Sequence, residues 1–336
     1  MTRYLLLLLS MGLAAPRAMA AGFQAKTMRE TLPAREVERS LLIGKGWLEF
    51  GLGTDVKVAE GSWSAEGKAL SFDDKSSWLY TTERLDIRYG IARRVELYWR
   101  LKTHYVHLEN PERKTDISQF GLGDPNFGVK YELYRSLAPI SSIVVYGDYK
   151  APAGNESPGN YVGGPSTFSA VVLTTGTQDL TAGVQAKQQV GPLALMVDAG
   201  YTRRLSGIVQ YVIETELNQF SGRIKPGDVF KLDGDLLLQA GPVALDGGVL
   251  YRRRDVTEIG TTVDGWFPGK DLQPIEGSDG WSLDAKAGLT LNITRGLDLV
   301  GAATLPVRGE DLQFWPIEDI HPTRGNTYSG TLEFRY

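Results

Sequence analysis

Ionisable residues stand at alternate positions in one stretch of the chain, RVELYWRLKTHYVH at 94–107: Glu96, Arg100, Lys102 and His104, with Arg94 and Tyr98 in the same row. The interleaved positions are Val95, Leu97, Trp99, Leu101, Thr103 and Tyr105. Charges two residues apart on an extended chain share one face, where opposite signs pair and both hold water. The chemistry on offer is hydration and electrostatic selection of a passing solute. Hydrolysis would require a serine, a histidine and a carboxylate or amide within hydrogen-bond reach. The histidines are His104, His107 and His321, and no serine stands two residues from His107 on its own strand face. Beside Glu109 and Asn110, His107 reads as a solvated rim residue, and a lipid-hydrolysing barrel is the weaker alternative.

The same alternation recurs. NFGVKYELY (126–134) turns Phe127, Val129, Tyr131 and Leu133 one way and Lys130 and Glu132 the other. VFKLDGDLLLQ (229–239) sets Phe230, Leu232, Leu236 and Leu238 against Lys231, Asp233 and Asp235, and WSLDAKAGLTLNI (281–293) sets five apolar residues against Asp284, Lys286, Thr290 and Asn292. The expected lining of the polar side is Arg88, Glu96, Arg100, Lys102, Asp124, Lys130, Glu132, Asp148, Lys150, Lys187, Asp233, Asp235, Asp284, Lys286, Glu333 and Arg335, joined by Asp86, Asp198, Asp246 and Arg252. These are nine cations and eleven anions, a mixture that favours ion pairs across a lumen over a strongly selective field.

Such strands must belong to a sheet whose two faces meet different surroundings. A soluble sandwich alternates as well, burying its apolar face. The turns separate the two cases. YGIARR (89–94), RSLAPI (135–140), VGPLAL (190–195), AGPVAL (240–245) and TRGLDL (294–299) recur about 50 residues apart and are short enough for tight hairpins. Between them lie long polar stretches rich in Gly, Pro, Asp, Asn and Ser, at 59–76, 108–119, 151–176, 205–226, 255–279 and 306–325, which reads as loops. Short turns at one end and long loops at the other are the asymmetry of an outer-membrane barrel, short turns periplasmic and long loops extracellular. About twelve strands are expected, at 46–58, 77–89, 94–107, 120–134, 141–150, 177–189, 193–204, 227–239, 243–254, 280–293, 297–305 and 326–336. The even number returns both termini to the periplasmic side. Orientation follows from cost, since a cation at mid-bilayer on the lipid face costs ~2–4 kcal/mol and a one-residue slip would expose Arg100 and Lys102 together. Aromatics such as Trp47, Trp78, Tyr80, Tyr89, Trp99, Tyr105, Tyr131, Tyr201 and Tyr251 fall mostly near strand ends, where interfacial girdles form.

The chain opens with MTRYLLLLLSMGLAAPRAMA, in which Arg3 precedes an apolar run and Ala18-Met19-Ala20 forms a small-x-small cleavage site, so 1–20 reads as a secretory signal. That run is about a dozen residues, short of the ~20 a membrane helix needs. Without Arg3 and Arg17 the formal charge is 34 − 40 = −6, and with no basic stripe nucleic acid is not an expected partner. There are no cysteines, hence no disulfide or thiolate metal site, and no cofactor is expected. Residues 21–45 precede the first strand as a periplasmic segment whose AREVERSLL could form a short helix there or enter the barrel; the barrel itself takes 46–336.

The chain ends SGTLEFRY, with Tyr328, Gly330, Leu332, Phe334 and Tyr336 on one face. This is similar to the C-terminal strand signal that the barrel-assembly machinery reads, with Tyr in place of the commoner Phe. At FGLGDPNFGVKYELY (120–134) and YGDYKAPAGN (146–155) the sequence resembles the bacterial outer-membrane proteins of the phenol meta-pathway degradation, or putative transporter, family. There, a Gly-Leu-Gly-Asp element (here Gly121 to Asp124) opens one strand, and Lys-x-Pro-x-Gly (here Lys150, Pro152 and Gly154) closes another. The resemblance could span 46–336 and implies a barrel that passes small, aromatic or hydrophobic compounds across the outer membrane. A nucleotide-loop reading of Gly121–Asp124 fails for want of a strand–helix setting.

Twelve strands lie between the filled eight-stranded barrel and the open porin, so a narrow channel is expected, with outer-membrane lipids outside and a small solute inside. APAGNESPGNYVGGPSTFS (151–169) could fold inward as a constriction or remain an exterior loop. Glu310, Asp311, Glu318 and Asp319 read as solvated loop acids able to bridge lipopolysaccharide through divalent ions, without a coordination-loop spacing. The remaining alternative is a non-conducting structural or adhesive barrel.

Overall fold

The computed structural model describes residues 36–64, 66–72, 77–110, 115–137, 140–152, 176–213, 218–261, 272–274, 277–311 and 324–336. Twelve long strands form the wall: β1 Leu48–Trp63, β2 Ser77–Ala92, β3 Val95–Asn110, β4 Asn126–Leu137, β5 Ile140–Lys150, β6 Asp179–Val190, β7 Leu193–Arg204, β8 Val229–Ala240, β9 Val243–Arg254, β10 Gly280–Thr294, β11 Leu297–Asp311 and β12 Arg324–Arg335. Each pairs antiparallel with its chain neighbours, and β12 pairs with β1, so the sheet closes. The seam runs from Glu49↔Arg335 to Gly61↔Arg324, and beyond it Leu48 and Tyr336 exchange both backbone bonds at 2.9 and 2.8 Å. Closure leaves no unpaired edge in the wall, the condition for a sheet to stand in hydrocarbon.

The pleat sorts side chains as the alternation requires. Leu101, Phe127, Val129, Leu133, Leu232, Leu236, Val249 and Leu289 face outward and are exposed, whereas Glu96, Glu132 and Asp298 are fully buried inside. This inverts a soluble protein and places the greasy exterior against acyl chains. Leu101 sits midway along β3 with 44% exposure. Leu101→Arg is expected to lower the unfolding free energy by about 2–4 kcal/mol, read from reversible urea unfolding in lipid vesicles; an unchanged midpoint would move that face out of the bilayer.

Two expectations need correcting. The single strand at 120–134 is two: Thr115–Leu122 pairs with the loop-end half of β3 (Thr103↔Leu122 to Asn110↔Thr115), and β4 pairs with its other half (Val95↔Tyr131 to Arg100↔Asn126). Pro125, without an N–H, cannot continue the ladder, and Gly121 to Asp124 therefore ends one strand and spans a break rather than opening a strand. Several stretches read as loops also pair. β1 runs to Trp63 and meets Ala69–Ser71, and a separate four-stranded sheet is built from Gly207–Ile213, Asn218–Lys225, Glu258–Thr261 and Gln273–Pro274. Gly-rich composition disfavours pairing, but hairpin strands already aligned by the wall extend their ladder into water at little further entropic cost.

Candidate functional site

The bore is built from the inward rows, and at its short-turn end the chain itself enters. Glu36–Glu38 form one 3₁₀ turn, and Val37 is fully buried among Ala194, Leu237 and Ala244. From there residues 36–44 cross the lumen on polar contacts. The backbone N–H of Glu36 donates to Gln239 Oε1 at 2.8 Å, and Lys187 Nζ donates to the carbonyls of Glu36 and Arg39 at 3.0 and 2.8 Å. Arg39 pairs with Asp298 at 2.5 Å. Arg135 donates to Ser40 Oγ at 2.7 Å, Ser40 Oγ donates to Glu132 at 3.4 Å, Arg88 donates to the Leu41 carbonyl at 3.0 Å, and the Ile43 N–H donates to Glu96 at 2.9 Å. Those partners lie on β2, β3, β4, β6, β7, β8, β9 and β11, eight of the twelve strands. A segment touching two thirds of the circumference stands across the bore. Gly46 and Trp47 then join β2 through Gly90, where a Cβ would meet the Gly44 carbonyl at 2.1 Å.

Under this stopper a chain of alternating charges braces the wall: Arg39–Asp298–Arg335–Glu49–Arg88–Glu96. Arg88 bonds Glu49 and Glu96 at 2.7 Å each, and Arg335 bonds both Glu49 and Asp298 and reaches Glu333 at 2.6 Å. Each fully buried carboxylate is thus met by a guanidinium, which buried charge requires.

On the loop side of the brace opens a chamber of about 440 Å³ bordered by Arg100, Lys102, Lys130, Asp148, Asp198 and Lys231, among others. Arg100 bonds Asp86 at 2.5 Å, Lys130 Nζ donates to Gln185 at 3.3 Å and lies 4.0 Å from Glu96, and Asn126 donates to Asp148 at 2.9 Å. Two tyrosines lie across the chamber wall on glycines of the next strand: a Cβ at Gly128 would stand 2.1 Å from Tyr98 Cζ, and one at Gly183 2.4 Å from Tyr146 Cζ. Tyr146 Oη is thereby aimed at Asp198, 3.0 Å away. Gly183→Val is expected to expel the Tyr146 ring and cost about 1–3 kcal/mol in urea unfolding, with part recovered by Tyr146→Ala; a neutral effect would mean the ring is not wedged.

The other expected lining residues form local pairs. Lys150 lies 2.8 Å from Asp179 and 3.5 Å from Asp124, Glu132 meets Arg135 at 2.7 Å and Ser142 at 3.1 Å, and Lys187 holds the stopper. Lys286 contacts Asp233 and, at 2.8 Å, Asp235; Asp284 meets Arg252 at 2.8 Å. Asp246 stands against Gly288. Of the terminal row, Tyr328 and Gly330 are exposed on the outside, Phe50↔Phe334 and Leu52↔Leu332 match across the seam, and Tyr336 bonds Leu48. Sequence reasoning missed Glu49, Asp298, Arg39 and Gln239. Glu49, Gln239 and Asp298 stand in the same polar rows as the residues it did pick, so alternation could have found them; Arg39 carries no such signal.

It also missed a serine. Ser118, brought across from Thr115–Leu122, lies 2.9 Å from His107 Nδ1, and Tyr105 Oη donates to it at 3.3 Å. In a hydrolytic triad the nucleophile bonds Nε2 and the carboxylate holds Nδ1; here the serine occupies the carboxylate's place. His104 bonds Thr82 at 3.0 Å through the same nitrogen. Residues 1–35, 153–175 and 312–323 lie outside the described residues, and with them the signal, most of 151–169, His321, Glu318 and Asp319.

Among solved structures the chain is similar to an outer membrane channel from Pseudomonas putida F1, with 10% identity, a TM-score of 0.64, and coverage of 90% of this chain and 98% of that one. The P. putida toluene transporter TodX (10% identity, TM-score 0.44, 93% of each chain) and the translocator domain of autotransporter NalP from Neisseria meningitidis (9%, 0.39, 96% of each) are more distant. No family model matches, and no curated protein sequence matches. The fold is that of a bacterial outer-membrane β-barrel, closed by twelve antiparallel strands.

Proposed function

We propose that this barrel is a solute channel of the outer membrane, kept narrow by its own N-terminal segment. The observation that carries the reading is the polar chamber. A barrel kept only for structure can fill a twelve-stranded bore with side chains, whereas here about 440 Å³ stands open, bordered by lysine, arginine, aspartate and tyrosine. In this reading the short-turn end faces the periplasm, 36–44 is its stopper, and the inward residues from Arg88 to Arg335 line or brace the path. Tyr328, Gly330, Leu332, Phe334 and Tyr336 serve as the assembly signal. The resemblance to the phenol meta-pathway degradation family supports small aromatic or hydrophobic solutes, and the fold likeness to an outer membrane channel supports conduction. Channel function needs no bond making, in keeping with the reversed His107–Ser118 arrangement.

Purified protein in planar bilayers, presented with small aromatic, sugar and nucleoside solutes, tests it. Discrete currents altered by a subset of solutes are expected. Silence at every solute, with no uptake defect in a deletion strain, would favour a non-conducting barrel, the reading that the eight-strand grip of the stopper supports.

A further inference from the structure

At the loop end of the bore lies a second chamber of about 140 Å³, well apart in composition from the first. Its charged lining includes Lys57, Arg204, Arg252, Arg254 and Arg324, drawn from four strands, with Asp284 as the single carboxylate among the described lining residues. Asp284 meets Arg252 at 2.8 Å, Arg204 lies 3.9 Å from Asp179, and Arg254 Nε donates to the Ser278 carbonyl at 3.2 Å. Among the described lining residues the cations outnumber the one carboxylate. Arg324 adds an independent sign: its Nε is buried and meets no acceptor among the described residues, a state that costs free energy unless a ligand or water completes it. Beside these groups Trp63 lies against Gly309, where a Cβ would stand 2.8 Å from the indole Cδ1. Glycine there lets the largely buried ring pack against the wall at the chamber's border.

We propose that this chamber binds a small organic monocarboxylate with a flat apolar body, captured before it reaches the central chamber. Guanidinium groups match a carboxylate in plane and charge, and the Trp63 ring takes the body. The volume falls below the roughly 300–1,000 Å³ of a drug-sized site, so the ligand is small. The proposal names the solute class for the channel reading but is tested without it.

Detergent-solubilised full-length protein is titrated with benzoate, benzamide and inorganic phosphate, binding being read by calorimetry and tryptophan fluorescence. Benzoate is expected to bind and its neutral isostere benzamide not to. Arg324→Gln is expected to weaken benzoate roughly tenfold, and Asp284→Asn, which removes the competing acid, to strengthen it, both with unchanged heat-modifiable mobility. Equal binding of benzamide, phosphate binding tighter than benzoate, or indifference to both variants would overturn the proposal. Benzoate binding by a barrel that carries no current would leave it standing and sink the channel reading alone; current without benzoate binding would do the reverse.

Discussion

Deleting residues 22–44 is expected to raise the single-channel conductance at least about threefold, by restoring the bore that twelve strands enclose. The segment contributes no strand to the wall, whose seam is made by β1 and β12, so its removal leaves the barrel closed. What it uncovers at the short-turn end is largely charged or polar, namely Glu96, Glu132, Lys187, Gln239 and Asp298. These groups hydrate, and water takes the volume vacated. Only the small patch of Ala194, Leu237 and Ala244 loses an apolar partner in Val37. Unchanged conductance in planar bilayers would place the narrowest point elsewhere.

The second large effect concerns the brace. Asp298 is fully buried and accepts from Arg39, Arg335 and Asn292 Nδ2. Asp298→Ala removes the buried acid that two guanidiniums share. Although Arg335 keeps Glu49 and Glu333 and Arg39 keeps Glu36, the loss is expected to approach the lower end of the cost of breaking a buried pair, about 3–5 kcal/mol. Urea unfolding in vesicles should register this loss, and recordings should show the stopper fluctuating, since Arg39 is the only side chain of residues 36–44 in an ion pair with a wall carboxylate among the described residues. Asp298→Asn keeps a partner for Asn292 and should cost less. In the Arg39→Ala background the Asp298→Ala penalty should shrink, the coupling expected of direct neighbours. Additive effects would break the brace as described.

The wall was legible because its signal is doubly constrained. Each inward charge such as Arg100 is bracketed by outward residues such as Trp99 and Leu101, so register and lipid face follow from one period. Strand ends were less so: the ladders of β1, β3 and β11 run past the membrane, where hydrophobicity no longer marks them and only hairpin geometry decides. The split at Pro125 was visible as a residue type but masked by the alternation on either side. The stopper was hardest to read. AREVERSLL has polar groups enough for solvent, and nothing local says that Arg39 would find an acid 259 residues away. Ser118 was missed for the same reason, since a cross-strand neighbour has no fixed spacing in sequence.

One measurement bears most directly on the claim that the central chamber is the conducting path. The chain has no cysteine, so Gln185→Cys places a single thiol at the chamber wall beside Lys130. Perfusing a positively charged methanethiosulfonate over one conducting barrel in a planar bilayer should produce a single step in current that persists on washout and is reversed by reductant. Current that stays level while mass spectrometry finds the thiol modified would contradict the account.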